Sequence, residues 1–243
     1  MIADATPSLR TDLHSSRMRL RRAIADPIAE FHDEGYLRHN QRRLEHLASL
    51  GLPLSGRVVL EVGAGIGDHT SFFLDRECSV VTTEGRLENL KVLQRRYPKL
   101  DARLLNLDDP DPAFAVQADI VYCYGTLYHL EHPARALAYL AARTKHFLLL
   151  ETCVSPGDDE EINPVEEELA KPSQGLRGRG CRPTRSWVYT RLREHFEHAY
   201  LTTTQPWHEE FPLVWEFEPD SSVPIRGVRA SRPAPRRRLA APS

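Results

Sequence analysis

Two spacings of apolar residues alternate along this chain. Short β-branched or leucine-rich runs at 58–62, 79–83, 102–105, 119–122 and 146–151 have strand length. Between them lie stretches of helical length at about 68–77, 87–97 and 133–144, where Phe72, Phe73 and Leu74 supply one packing face. Pro98 stops one of these helices and Pro133 opens another. Strands and helices in strict alternation predict a parallel, doubly wound α/β sheet. The uninterrupted run Phe147 to Leu150 predicts a central strand covered on both faces.

The pattern differs at both ends. A helix is expected to start at Asp26-Pro27, with Asp as cap and Pro at the first turn, turning Ile28 and Phe31 inward. Gly35 is expected to interrupt it, and a second helix to run from about Tyr36 to Leu50 on a stripe of Leu37, Leu44 and Leu47. After the fifth strand, residues 157–169 are strongly acidic and 171–185 glycine-rich and basic. This stretch is expected to be a long excursion above the sheet. A helix over 184–196 follows, then strands at 200–204 and 212–217. The expected organisation is a flexible arm at 1–22, one domain at 23–218 with a helical cap (23–52) and a lid-like insert (152–185), and a disordered tail at 219–243. The tail is rich in Pro, Arg and Ala and poor in large apolar residues.

Composition narrows the class. The 243 residues carry a formal net charge of -2, which gives no global attraction to nucleic acid or membrane. Cys78, Cys123, Cys153 and Cys181 are widely spaced, which argues against a zinc site or a disulfide framework. No apolar run has membrane-spanning length and the first residues lack a signal-peptide core, so a cytoplasmic enzyme is expected.

The chemistry gathers around Glu61-Val62-Gly63-Ala64-Gly65-Ile66-Gly67-Asp68. A glycine turn between strand and helix lets backbone N–H groups face a ligand. A dinucleotide fold wants G-x-G-x-x-G, and Asp68 stands where its last glycine belongs. The string E-V-G-A-G-I-G instead resembles the first motif of class I S-adenosylmethionine (SAM)-dependent methyltransferases. That resemblance implies a Rossmann-like, mostly parallel seven-stranded sheet closed by an antiparallel hairpin, with N-terminal helices over the site and SAM as cofactor. Glu84 lies nineteen residues after Gly65, at the end of the second strand, where an acid accepts from a ribose diol. The resemblance assigns the methionine end to Gly63, Ala64, Gly65 and Gly67, with Glu61 in support. It gives the ribose to Glu84 beside Gly85, and the adenine to Leu107 and Asp108, with Asp109 an equally placed rival. Tyr124 and Gly125 open the loop beneath the methyl donor.

That loop, Gly125-Thr126-Leu127-Tyr128-His129-Leu130, matches the family's G-x-L-Y-H-L pattern. A neutral imidazole at His129 suits a general base, the alternative being a packing or capping role. Tyr128, which packs on the cofactor, and Glu151, at the end of the fifth strand, join it as catalytic candidates. His129, Glu131 and His132 are too thin a set for a metal. Gly180-Cys181-Arg182-Pro183-Thr184-Arg185 and Gln205 to Pro212 resemble a group of bacterial methyltransferases from polysaccharide and secondary-metabolite gene clusters. Tyr36, Arg182, Arg185, Trp207 and His208 are the substrate candidates. Arg182 and Arg185 suit an anionic group, or an ion pair with the acidic run at 158–168. The expected reaction is methyl transfer to an oxygen of a sugar, polyketide or peptide natural product. The rivals are a tRNA or protein methyltransferase, which the charge disfavours, and a SAM-binding partner protein without catalysis.

Overall fold

The computed structural model describes residues 25–212 and 225–233. Five strands, β1 (Val58–Val62), β2 (Ser79–Glu84), β3 (Asp101–Leu104), β4 (Ala118–Tyr124) and β5 (Thr144–Val154), pair in parallel in the order β3-β2-β1-β4-β5. A separate antiparallel pair, β6 (Ile162–Glu166) and β7 (Arg179–Pro183), follows β5. Strands β8 (Phe196–Leu201) and β9 (Ile225–Pro233) then complete a seven-stranded sheet, with β9 antiparallel between β5 and β8.

The doubly wound, mostly parallel sheet with its closing antiparallel hairpin is as expected. The hairpin's second strand is not. It was expected at 212–217, of which 213–217 lie outside the described residues, as does the arm at 1–22. Instead β9 falls within the segment expected to be a disordered tail. Its backbone ladder supplies seven register pairs with β5, and such pairing does not depend on large apolar side chains.

Helices cover both faces. The first two are α1 (Pro27–Phe31) and α2 (Glu34–Ser49). The chain breaks at His32-Asp33 rather than at Gly35, because the Asp33 carboxylate caps α2 by accepting from the Gly35 amide. Ile28 and Leu37 are exposed, whereas Phe31 and Leu47 are buried. The others are α3 (Thr70–Leu74), α4 (Leu87–Arg96), α5 (Pro133–Ala141) and α6 (Arg185–His195). Period-two alternation sends Leu60, Val62, Val121, Leu148 and Leu150 to one core, with Leu137, Leu140, Val188 and Leu192. Val59, Ile120, Tyr122 and Leu149 go to the other, with Leu47 and Phe73. Glu61 shares the face of Val59. From β1 the chain winds outward to β2 and β3, then returns to β4 on the other side. That reversal opens a crevice at the carboxyl ends of β1, β2 and β4.

Candidate active site

The crevice is a solvent-open cleft of about 950 Å³. Its floor is the glycine turn. Gly63 sits at φ 68°, and a Cβ there would fall 2.1 Å from the Thr126 hydroxyl oxygen, so only glycine fits between β1 and the loop after β4. Beneath the turn, Glu61 is buried. Its Oε2 accepts from the Thr70 hydroxyl at 2.7 Å and from Thr82 at 3.3 Å, while Oε1 has no hydrogen-bond partner among the described residues. Burial pushes this carboxyl up to about 7, against the pull of the two threonines. Glu84, also buried, accepts from the Gly65 amide at 2.8 Å and the Arg86 amide at 2.7 Å, yet burial still raises its carboxyl.

Of the two aspartates after β3, Asp108 lines the cleft and accepts from the His132 amide at 2.8 Å. Asp109 is exposed and pairs with Arg135 at 3.0 Å. Residues 172–176 line the cleft from the insert. They are latched by the Arg86 guanidinium, which donates to the Leu169 and Gln174 carbonyls, and by Asn89, which donates to the Pro172 carbonyl at 2.9 Å.

Helix α2 lines the cleft with Tyr36, Asn40 and Arg43. Arg43 Nη2 meets Glu151 at 2.5 Å, both side chains being almost fully buried, and Nη1 donates to Asn40 at 3.2 Å. His69 Nδ1 lies 2.9 Å from the Tyr122 hydroxyl, and burial, helped by Arg43 and His39, drives its imidazole down to about 3. It is therefore neutral at ordinary pH. Burial pushes the Tyr124 phenol well above its usual range.

His129 lines the cleft from a single 3₁₀ turn (Leu127–His129), and its Nδ1 lies 2.8 Å from both carboxylate oxygens of Glu167. Glu167 stays ionised. Burial would raise it, but the bond and charge of His129 and the Gly175 amide outweigh burial and hold it low.

The cleft thus gathers Tyr36, Glu61, Gly63, Ala64, Gly65, Glu84, Gly85, Leu107, Asp108, Tyr124, Gly125 and His129 of the expected site residues. Others lie elsewhere. Gly67 turns its carbonyl to the Tyr97 hydroxyl. Glu151 is sequestered by Arg43 behind the lining. Tyr128 is buried under the Arg182 guanidinium, which also donates to the Tyr128 carbonyl and lies 4.0 Å from Glu167. Of the two partners expected for Arg182, an anionic group or the acidic run, the structure supplies the acidic run. Arg185 opens α6 away from the cleft lining.

Trp207 and His208 do not wall the site. Trp207 is 84% exposed under Arg42, the His208 ring lies tilted against His39, and Arg38 pairs with Glu209, so this loop clasps α2. Glu131, the carboxylate of the thin metal set, faces Arg177 and Arg179. The sequence reading missed Arg43, His69, Asn89 and above all Glu167, which sits inside an acidic run with nothing to distinguish it from its neighbours.

Residues 60–146 match the model of a family described as a methyltransferase domain. With the sheet order and the cleft at the strand ends, this supports a SAM-dependent methyltransferase of Rossmann-like fold. Among solved structures it is similar to the N-terminal domain of EvdMO1, crystallised with S-adenosylhomocysteine (SAH) and D-fucose. The match has TM-score 0.62 at 20% identity, over 96% of this chain and 100% of that one. It also resembles the 1,6-didemethyltoxoflavin-N1-methyltransferase of Burkholderia thailandensis, with TM-score 0.56 at 16% identity over 96% and 94% of the two chains. A third likeness is the magnesium protoporphyrin IX methyltransferase of Synechocystis PCC 6803 with bound SAM, with TM-score 0.53 at 12% identity over 96% and 100%. No curated protein matches the sequence. No helix among the described residues is long and apolar enough to cross a membrane.

Proposed function

We propose that this methyltransferase acts on an oxygen of a small-molecule acceptor, a sugar, polyketide or peptide natural product, in the cytoplasm. The observation that carries the reading is one cleft shared by two sets of residues. Glu61, Glu84 and Asp108 line it together with His129, Tyr36 and Asn40.

The residues fit SAM. The buried, unpartnered Oε1 of Glu61 suits the ammonium, the Glu84 carboxylate the ribose diol, and Asp108 the adenine amino group. SAM, when bound, would supply a methyl on its sulfonium for an acceptor oxygen, with SAH as the other product. His129 takes the hydroxyl proton as the new bond forms. Arg182 lies against Tyr128 and Glu167 and Arg43 is neutralised by Glu151, so an uncharged acceptor suits it better than an anionic one. The EvdMO1 domain was crystallised in the presence of SAH and D-fucose, a hydroxyl-rich small molecule. The insert at 152–185 acts as a lid on the domain at 23–218.

The test is a labelled-methyl screen over sugars, polyketides, peptides and tRNA, with the methylated atom located by NMR. O-methylation of a small acceptor is expected. Transfer to tRNA alone, or to nitrogen alone, would sink the acceptor reading. Tight SAH binding with no turnover on any acceptor would favour a non-catalytic role.

A further inference from the structure

We propose that Glu167 is the positioning residue for His129. Its carboxylate, carried on the insert, holds the imidazole with Nδ1 protonated, so that Nε2 is the ring's proton acceptor. The inference rests on the reading of His129 as base.

The Glu167 side chain is only 2% exposed, although it stands in an acidic run. Both its oxygens lie 2.8 Å from His129 Nδ1, and Oε2 also accepts from the Gly175 amide at 2.5 Å. Arg182 stands 4.0 Å away and the Tyr128 ring flanks the imidazole. Two glycines make the approach possible. A Cβ on Gly180 would come within 2.5 Å of the Tyr128 carbonyl and 2.6 Å of Glu167 Oε1. One on Gly175 would come within 2.5 Å of the His129 carbonyl and 2.8 Å of Glu167 Oε2. Strand β7 lies on the 127–129 turn, where Arg182 and Cys181 donate to the Tyr128 and Leu127 carbonyls.

A carboxylate on one imidazole nitrogen fixes the tautomer and stabilises the imidazolium once the acceptor's proton has arrived. The proton leaves the acceptor hydroxyl, binds Nε2, and its charge is balanced by Glu167. Gly175 belongs to the segment that lines the cleft, so the same carboxylate ties that segment to the base.

The test is ¹⁵N NMR of the His129 ring in the full chain. At pH above the ring's titration, the unmodified protein should show the Nδ1–H tautomer. An Nε2–H tautomer would overturn the proposal, whatever any variant does. Glu167→Gln keeps an acceptor but removes the charge. It should lower the His129 titration midpoint by about one unit. It should also cut kcat by at least about 10-fold, within the 10²–10⁴-fold that a base supplies, with SAH affinity retained. An unchanged midpoint would reduce Glu167 to a structural pin even if kcat fell. His129→Ala separates the two ideas. Wild-type turnover there removes the base reading. An inactive His129→Ala beside a Glu167→Gln of unchanged midpoint removes only the role of Glu167.

Discussion

At the scale of single residues, a few buried polar groups set what the cleft can hold. Glu84 accepts from two backbone amides and still faces the cleft. Hydrogen bonds to a charged group contribute about 1.5–3 kcal/mol. Glu84→Ala should therefore weaken SAH binding by about 10- to 100-fold, read by calorimetry. An unchanged affinity would remove it from the ribose. His129→Ala should leave SAH affinity intact while turnover falls by about 10²–10⁴-fold. Steady-state kinetics on the acceptor found by the screen checks this. Motif spacing made both residues legible. Glu167 was not legible, because its importance comes from burial against His129, thirty-eight positions away.

At the scale of elements, the cleft depends on how β1, the loop after β4 and helix α2 meet. Gly63 is the tightest point. Gly63→Ala combines a positive φ with a clash at Thr126, and should cost about 1–3 kcal/mol of stability along with SAH binding. Thermal melts with and without SAH measure both losses. Helix α2 is anchored by the Arg43–Glu151 pair. Glu151→Ala leaves a buried guanidinium without its carboxylate and should destabilise the fold by about 3–5 kcal/mol. Denaturant unfolding reads that directly. A loss below about 1 kcal/mol would mean that water replaces the carboxylate. Sequence pattern found α2 but turned Leu37 inward, because three leucines on a short helix do not say which of them meets the sheet. It also offered Trp207 and His208 as substrate residues. In the structure Trp207, His208 and Glu209 engage α2 instead, a pairing that needs the two segments side by side in space.

At the scale of the whole molecule, buried ionisable groups make stability depend on pH. The Glu61 carboxyl is raised in the fold from 4.5 to about 7. Its contribution is present below the unfolded value and is lost as pH rises toward 7, on the order of 2–3 kcal/mol. His69 is lowered to about 3, so its contribution is present above the unfolded value of 6.5 and is lost as pH falls below it. The two oppose each other between pH 4.5 and 6.5. Glu61→Gln isolates one of them. Relative to wild type, its Tm should rise steadily from pH 5 to pH 7.5, and a parallel pair of Tm curves would reject the raised carboxyl.

The sequence by itself determined the parallel sheet, through period-two and helical patterns, and the glycine turn, while the resemblance of its motifs to a methyltransferase family singled out Glu61, Glu84 and His129. Tertiary structure alone decided between Asp108 and Asp109, one lining the cleft and the other paired at the surface. It placed β9 in the sheet, left Arg182, Trp207 and His208 out of the cleft lining, and set Glu167 against His129. The physical reason is common to all four. Local pattern reports which face a residue takes within its own element, whereas burial and pairing depend on which distant element packs against it.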